Sequence, residues 1–147
     1  MKQVIATALL TAILAAPVNA GGETPSNPDA EVYFVNISDG DTLSNPVTIV
    51  FGLRGMGVAP AGTQKENTGH HHLLINRPAL GQGEDGELEF ENGLPADDNH
   101  VHFGGGQTEV TLDLPSGETT LQLVLGDYGH VPHATPIVSD VITVSVK

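Results

Sequence analysis

The sequence predicts an all-β protein that folds as a single immunoglobulin-like antiparallel β-sandwich. Apolar and polar residues alternate with a period of two along short runs, which is the pattern of half-buried strands. Turn residues such as Ser38–Asp41 and Pro115–Gly117 separate these runs, and the chain holds 18 Gly and 10 Pro. After the first twenty residues no segment sustains the period of an amphipathic helix. About seven short strands with turns between them favour two packed sheets.

The strands are predicted one by one from these runs. The alternation is clearest in VTIVFGL, where Val47, Ile49, Phe51 and Leu53 share one face. The predicted strands are Glu31–Ile37, Val47–Leu53, His70–Asn76, Glu109–Leu114, Thr119–Leu125 and Val138–Val146. The acidic segment Gly81–Asn99 is expected to be a solvated loop, with at most a weak hairpin at Glu87–Glu91.

The first twenty residues have the organisation of a cleaved signal peptide. Lys2 supplies a positive start, Val4–Ala16 is apolar, and Val18–Ala20 places short residues where a signal peptidase cuts. Export of the Sec type follows, so we expect a periplasmic or secreted protein. The predicted organisation is a signal peptide at 1–20, a flexible leader at 21–30 and a β-sandwich domain at 31–147.

Charge and composition narrow the function further. The chain has 18 acidic and 5 basic residues and a net charge of −13, which argues against nucleic acid and anionic membranes as partners. No later segment is apolar enough to span a membrane, which needs about 20 apolar residues. The chain has no Cys, so disulfides and thiolate metal sites are excluded. Its chemistry has to come from His, carboxylate, Met or backbone groups, and no protein partner is indicated.

All seven histidines fall in three tight clusters: His70–His72, His100 with His102, and His130 with His133. Two residues apart on a strand, imidazoles share one face about 7 Å apart along the backbone. His70 and His72 therefore share a face, whereas His71 points the other way with Leu73 and Ile75. Two imidazoles at this spacing can reach one ion.

The predicted strand directions bring the three clusters together. If Val47–Leu53 runs upward, the histidine triplet begins the next, downward strand at the top of the sandwich. The strand Glu109–Leu114 pairs with the first and also runs down, so the residues before it, including His100 and His102, lie at the top. The strand Thr119–Leu125 runs up and ends near His130. We therefore predict one metal site at this end.

Neutral imidazole is the commonest metal ligand, and a site of three or four His without thiolate suits Cu(II) or Zn(II). The cofactor is accordingly predicted to be a copper or zinc ion. The four predicted metal ligands are His70, His72, His102 and His130. Five residues are candidates for further ligation or support: His71, His100, His133, Met56 and Asp127. Met56 is a soft ligand or a hydrophobic plug, and Asp127 orients an imidazole or forms a turn.

Five long motifs also resemble a known family. They are Phe51–Gly62 (FGLRGMGVAPAG), Gly69–Ile75 (GHHHLLI), His100–Thr108 (HVHFGGGQT), Thr120–Asp127 (TLQLVLGD) and His130–His133 (HVPH). Together they resemble a bacterial exported family described only as a domain of unknown function. The resemblance runs from about Pro46 to the end of the chain and implies export of one domain, with no activity attached. The stretch Glu84–Glu91 is its least typical part.

Three functions are compatible with these observations. The first is a periplasmic histidine-rich protein that binds and handles copper or zinc. The second is a copper-dependent redox enzyme, which needs an open coordination position and a substrate pocket. The Gly-rich segments Gly104–Gly106 and Gly126–Gly129 would leave such space or simply form tight turns. The third is a metal-free interaction module, and the sequence identifies no catalytic residue.

Overall fold

A computed structural model of the chain describes residues 22–84, 86 and 88–147. The predicted signal peptide at 1–20 lies outside these residues. The described part contains nine strands and one short helix: β1 (Glu31–Phe34), β2 (Thr42–Leu43), β3 (Val47–Arg54), β4 (Gly57–Val58), β5 (Thr68–Ile75), α1 (Leu88–Glu91), β6 (His100–His102), β7 (Glu109–Leu112), β8 (Gly117–Gly126) and β9 (Ile142–Val146). No helix of this part is long and apolar enough to cross a membrane.

The strands form two sheets that pack as a sandwich, which confirms the predicted all-β fold. The smaller sheet has the order β1-β3-β7, and the larger has the order β2-β9-β8-β5, with β4 and β6 both against the far edge of β5. The predicted antiparallel pairings are present: Ile49 lies opposite Val110 across β3 and β7, and Leu73 opposite Leu123 across β5 and β8. Two short edge pairs, β2 with β9 and β4 with β5, are parallel. The immunoglobulin-like topology stays a prediction.

The main core lies between the sheets and follows from the period-two alternation of their strands. Ile49 and Phe51 of β3 face inward and are buried. They belong to one buried cluster with Leu73 of β5 and with Leu123 and Leu125 of β8. Burying such side chains contributes about 1.5–3 kcal/mol each, so this cluster stabilises the sandwich and fixes the register of β5.

The larger sheet is covered on its outer face as well. Leu74 of β5 and Val124 of β8 face away from the main core and pack in a second buried cluster with Leu94. The expectation of a wholly solvated loop at Gly81–Asn99 is therefore wrong at Leu94, because this side chain supplies the apolar cover that the outer face needs. The expected hairpin at Glu87–Glu91 is also wrong, since Leu88–Glu91 form the helix α1.

The segment before β1, expected to be a flexible leader, has specific partners where the structure describes it. The hydroxyl of Ser26 donates to the carbonyl of Thr135 at 3.0 Å, and the side-chain amide of Asn27 donates to the carbonyl of Gly55 at 2.9 Å. This segment therefore lies against the same end of the molecule as the loops that follow β3 and β8.

We expect Leu123→Ala to lower the free energy of unfolding by about 2–5 kcal/mol, because Leu123 is fully buried and its truncation leaves a cavity. Urea denaturation measures the loss. The control Val35→Ala changes a side chain that is 56% exposed and should stay within about 0.5 kcal/mol of the parent protein. Similar losses for the two variants would contradict the placement of the core.

Candidate metal centre

Strand β5 brings two imidazoles to the outer face of the larger sheet. His70 and His72 are both fully buried, although they point away from the core between the sheets. Alternation along the strand places them on the same face as Leu74, which packs under Leu94. His71 lies on the opposite face, where its ring centroid is 5.2 Å from that of Phe51. The predicted split of the triplet between two faces is confirmed.

Strand β6 adds two more histidines to this face through its register with β5. His102 lies directly opposite His72, and His100 lies opposite Leu74. Residues opposite each other in an antiparallel pair have side chains on the same face. The rings of His72 and His102 accordingly approach to 5.0 Å between centroids. Histidines two residues apart thus cluster across the two paired strands as well as along one strand.

His130 reaches the cluster from the loop that follows β8. Its backbone has a φ of 69°, an uncommon conformation for a residue other than glycine. The carboxylate oxygen Oδ1 of Asp127 holds this loop by accepting hydrogen bonds from the backbone N–H of Gly129 at 2.8 Å and of Val131 at 3.0 Å. The backbone N–H of Leu94 donates to the carbonyl of His130 at 2.7 Å.

The four imidazoles converge on one point. His70, His72, His102 and His130 each offer a ring nitrogen, and these four atoms lie within 4.8 Å of one another. The Nε2 atoms of His70 and His72 are 3.0 Å apart, and Nε2 of His70 is 3.2 Å from Nδ1 of His130. Tetrahedral ligands at the usual Zn–N distance stand about 3.3 Å apart. The cluster can therefore hold a metal ion, while ligation by these four residues stays a prediction.

Two glycines leave the space that the imidazoles fill. A Cβ atom on Gly126, which lies opposite His70 on β8, would come within 2.7 Å of Nε2 of His72. A Cβ atom on Gly104 would come within 2.7 Å of Nε2 of His102. The sequence predicted open space or tight turns at both glycines, but not that their missing side chains make room for His72 and His102. The signal was available for Gly126, because the predicted pairing of its strand with the triplet sets it beside the histidines.

His100 lies behind the cluster rather than within it. It is fully buried, and its Nε2 is 3.2 Å from Nδ1 of His72. When Nδ1 of His72 carries the proton and donates to His100, the lone pair of His72 is at Nε2, on the side of His70. Histidine ligands of metals commonly have such a partner at the second ring nitrogen. His100 therefore fits the supporting role considered for it.

The remaining candidates lie apart from the four. Nδ1 of His71 is 3.2 Å from the carbonyl oxygen of Gln107, so its ring is tied to the core side of β5. His133 is fully buried, and neither of its ring nitrogens has a hydrogen-bond partner among the described residues. Met56 packs against the main core, as its interpretation as a hydrophobic plug expects. Asp127 accepts its hydrogen bonds from Thr24, Gly129 and Val131, none of which is an imidazole, so it forms a turn.

Burial lowers the pKa of four of these imidazoles, those of His70, His72, His100 and His102. Desolvation, followed by repulsion from neighbouring imidazolium charge, lowers the pKa of His70 to about 4 and that of His72 to about 2. Asp127 acts in the opposite direction on the pKa of His70. Burial, followed by the charge of Arg77, lowers the pKa of His100 to about 4, and burial also lowers the pKa of His102. Neutral imidazole is the form that binds metal ions.

The model of the family DUF4399, a domain of unknown function, matches residues 49–147. The chain belongs to this family. The part of the DUF4399 chain that the model matches begins within β3 and includes every histidine of the candidate centre, whereas β1 and β2 precede it. A search of the curated proteins and a search of the solved structures found no match. The family description carries no activity, so function has to be argued from the geometry of the site.

Metal-free protein should lose stability as the pH falls from 7 towards 4. Unfolded histidines take up protons near pH 6.5, whereas His70, His72 and His100 remain neutral in the folded chain until about pH 4 or below. Each such residue contributes a slope of up to about 1.4 kcal/mol per pH unit, and the loss levels off below the folded pKa values. Urea denaturation in chelator at pH 7 and pH 5 measures the change. Equal free energies of unfolding at the two pH values would contradict the lowered pKa values.

Proposed function

We propose that this DUF4399 protein is exported to the periplasm or beyond the cell and there binds copper or zinc for metal handling. The proposed ligands are His70, His72, His102 and His130. The observation that carries the proposal is their convergence, because three separate segments of the chain present four imidazole nitrogens to one point. Export rests on the N-terminal sequence pattern alone.

The donor set supports this choice of metals. The chain has no Cys, so every proposed ligand is a nitrogen, a set that suits Cu(II) and Zn(II). Hard cations such as Mg²⁺ and Ca²⁺ prefer oxygen ligands, which the cluster does not offer. Strands β5 and β6 hold His70, His72 and His102 in a fixed register, so the folded chain presents these ligands before an ion arrives.

The hydrogen-bond partners of the buried ring nitrogens also favour a bound cation over a metal-free network of imidazoles. Nε2 of His70 is in close contact with both Nε2 of His72 and Nδ1 of His130, although a ring nitrogen offers one proton or one lone pair for the two contacts. Nε2 of His102 is buried without a hydrogen-bond partner among the described residues. A coordinated ion would give this nitrogen a partner, and a buried polar atom without one is costly. The carboxylate of Asp127, close enough to act on the pKa of His70, adds negative charge beside a bound cation.

The direct test is metal titration of protein prepared without an affinity tag. We expect one equivalent of Zn(II) or Cu(II) to bind and to raise Tm, with a stabilisation of about 2.7 kcal/mol at a free metal concentration 100 times Kd. His102→Ala removes a half-buried proposed ligand and should weaken metal binding by at least about 100-fold. Replacing a residue that only supports a ligand typically costs about 10- to 100-fold in metal affinity. Competition with a chelator of known affinity measures the change.

Tyr128→Ala is the matched control, since Tyr128 is exposed in the loop that carries His130 and should leave the metal affinity unchanged. The proposal fails if the parent protein binds neither ion and its Tm does not respond to either. Redox turnover by the copper-loaded protein that is lost in His102→Ala would extend the function from binding to catalysis.

A second variant tests the site without removing a ligand. Gly126→Ala places a methyl group 2.7 Å from Nε2 of His72, so we expect it to displace that ring and to lower metal affinity by at least about tenfold. Gly57→Ala is the control, because its Cβ atom would meet its nearest neighbour, Cγ2 of Thr68, at an ordinary 3.6 Å. Equal metal affinities of the two folded variants would show that Gly126 does not border the ion.

A further inference from the structure

The N-terminal segment Gly22–Asn27 lies alongside the chain that follows His130. The backbone N–H of Gly22 donates to the carbonyl of Pro132 at 2.8 Å, and the carbonyl of Thr24 accepts from the backbone N–H of Ala134 at 2.9 Å. A Cβ atom on Gly22 would come within 2.7 Å of Cγ1 of Val131. The segment is therefore in direct contact with the loop of the candidate metal centre.

The side chain of Thr24 connects this segment to the turn that positions His130. Its hydroxyl donates to Oδ2 of Asp127 at 2.6 Å, while Oδ1 of Asp127 accepts from the backbone N–H groups of Gly129 and Val131. Asp127 is only 5% exposed, so both of its oxygens need protein partners. Gly129 and Val131 flank His130, and the carboxylate thus fixes the backbone on both sides of this ligand.

We propose that the segment Gly22–Asn27 is a structural part of the metal centre, with Thr24 as a positioning residue that fixes His130 through Asp127. The inference rests on the proposed metal-binding function. His130 has the left-handed φ of 69°, which is uncommon for a residue other than glycine and which the hydrogen bonds of Asp127 to its two neighbours help to maintain. Without the hydroxyl of Thr24, Oδ2 of the buried carboxylate loses this donor, and the turn loses part of what enforces that conformation.

The coupling acts in both directions. If docking of the N-terminal segment improves the affinity for the ion, then the ion must stabilise docking of the segment by the same factor. Metal binding at His130 should therefore slow exchange of the two backbone N–H groups that join the segment to the loop, those of Gly22 and Ala134, although neither residue is a ligand. Protection at this distance from the ion is not expected of a segment that merely lies on the surface.

Thr24→Val tests the positioning role because it keeps the side-chain shape and removes the hydroxyl. We expect about tenfold weaker binding of Zn(II) and Cu(II), measured by chelator competition. The nitrogen couplings in the electron paramagnetic resonance spectrum of the Cu(II) form should change, because His130 is held less firmly. Thr24→Ser restores the donor and should restore both properties.

Thr111→Val is the control, since its hydroxyl lies 2.8 Å from that of Thr48 across β7 and β3 and does not reach Asp127. It should leave the affinity and the spectrum as in the parent protein. Hydrogen exchange of the parent protein with and without Zn(II) tests the reverse direction, with slower exchange at Gly22 and Ala134 expected in the presence of the ion.

The outcomes separate the two proposals. If Thr24→Val matches the parent protein in affinity and spectrum, or if Zn(II) leaves exchange at Gly22 and Ala134 unchanged, the inference is overturned and the metal site stands. If the parent protein binds neither ion, the proposed function fails and the coupling fails with it. In that case the claim that Thr24 holds the turn is still tested on metal-free protein, where Thr24→Val should speed exchange of residues 127–131. Unchanged exchange there would overturn this claim as well.

Discussion

The burial of β5 on both of its faces is the constraint on which the rest of the structure depends. One face of this strand completes the core between the sheets with Leu73 and Ile75, and the other holds the buried His70 and His72 together with Leu74, which packs under Leu94. Hydrogen bonds to β8 on one edge and to β6 on the other fix its register. A shift of one residue would turn His70 and His72 into the apolar core and Leu73 and Ile75 onto the outer face, so the core and the histidine cluster specify the same alignment.

The loops next to β5 hold the polar side chains on its outer face in place through hydrogen bonds. Leu94 closes the outer face and binds the carbonyl of His130, while Asp127 closes the turn on the other side of that residue. The first of these contacts joins two loops, and the second lies within one. The outer face therefore depends on directed hydrogen bonds as well as on the apolar cluster around Leu74, whereas the inner face depends on non-directional packing.

Much of the fold could be predicted because the strands follow the two-residue alternation. Val47–Leu53 and Thr119–Leu125 were predicted within two residues of the observed β3 and β8, and their partners follow from strand direction. The convergence of the histidine clusters could be predicted for the same reason, as strand polarity alone places the three segments at one end. The two-residue strands β2 and β4 were not predicted, since so short a run carries no period.

The misjudged features depend on tertiary contacts that no local pattern encodes. Leu94 lies in an acidic stretch whose composition indicates solvent, and its burial is decided by the apolar outer face that it covers. The contacts of the N-terminal leader likewise depend on the distant residues Asp127 and Pro132. The position of His100 behind His72 depends on the register between β6 and β5, which no local pattern of the sequence encodes.

The backbone of β8 at Gly126 closes one side of the histidine cluster, since even a Cβ atom there would come within 2.7 Å of Nε2 of His72. His70 and His72 are enclosed by the sheet, whereas His102 and His130 are the two members that remain half-buried. A competing ligand would reach an ion in this position most readily from the side of these two less buried residues. Exchange with another molecule would then proceed by stepwise replacement of His130 and His102, while the pair on β5 keeps hold of the ion until last.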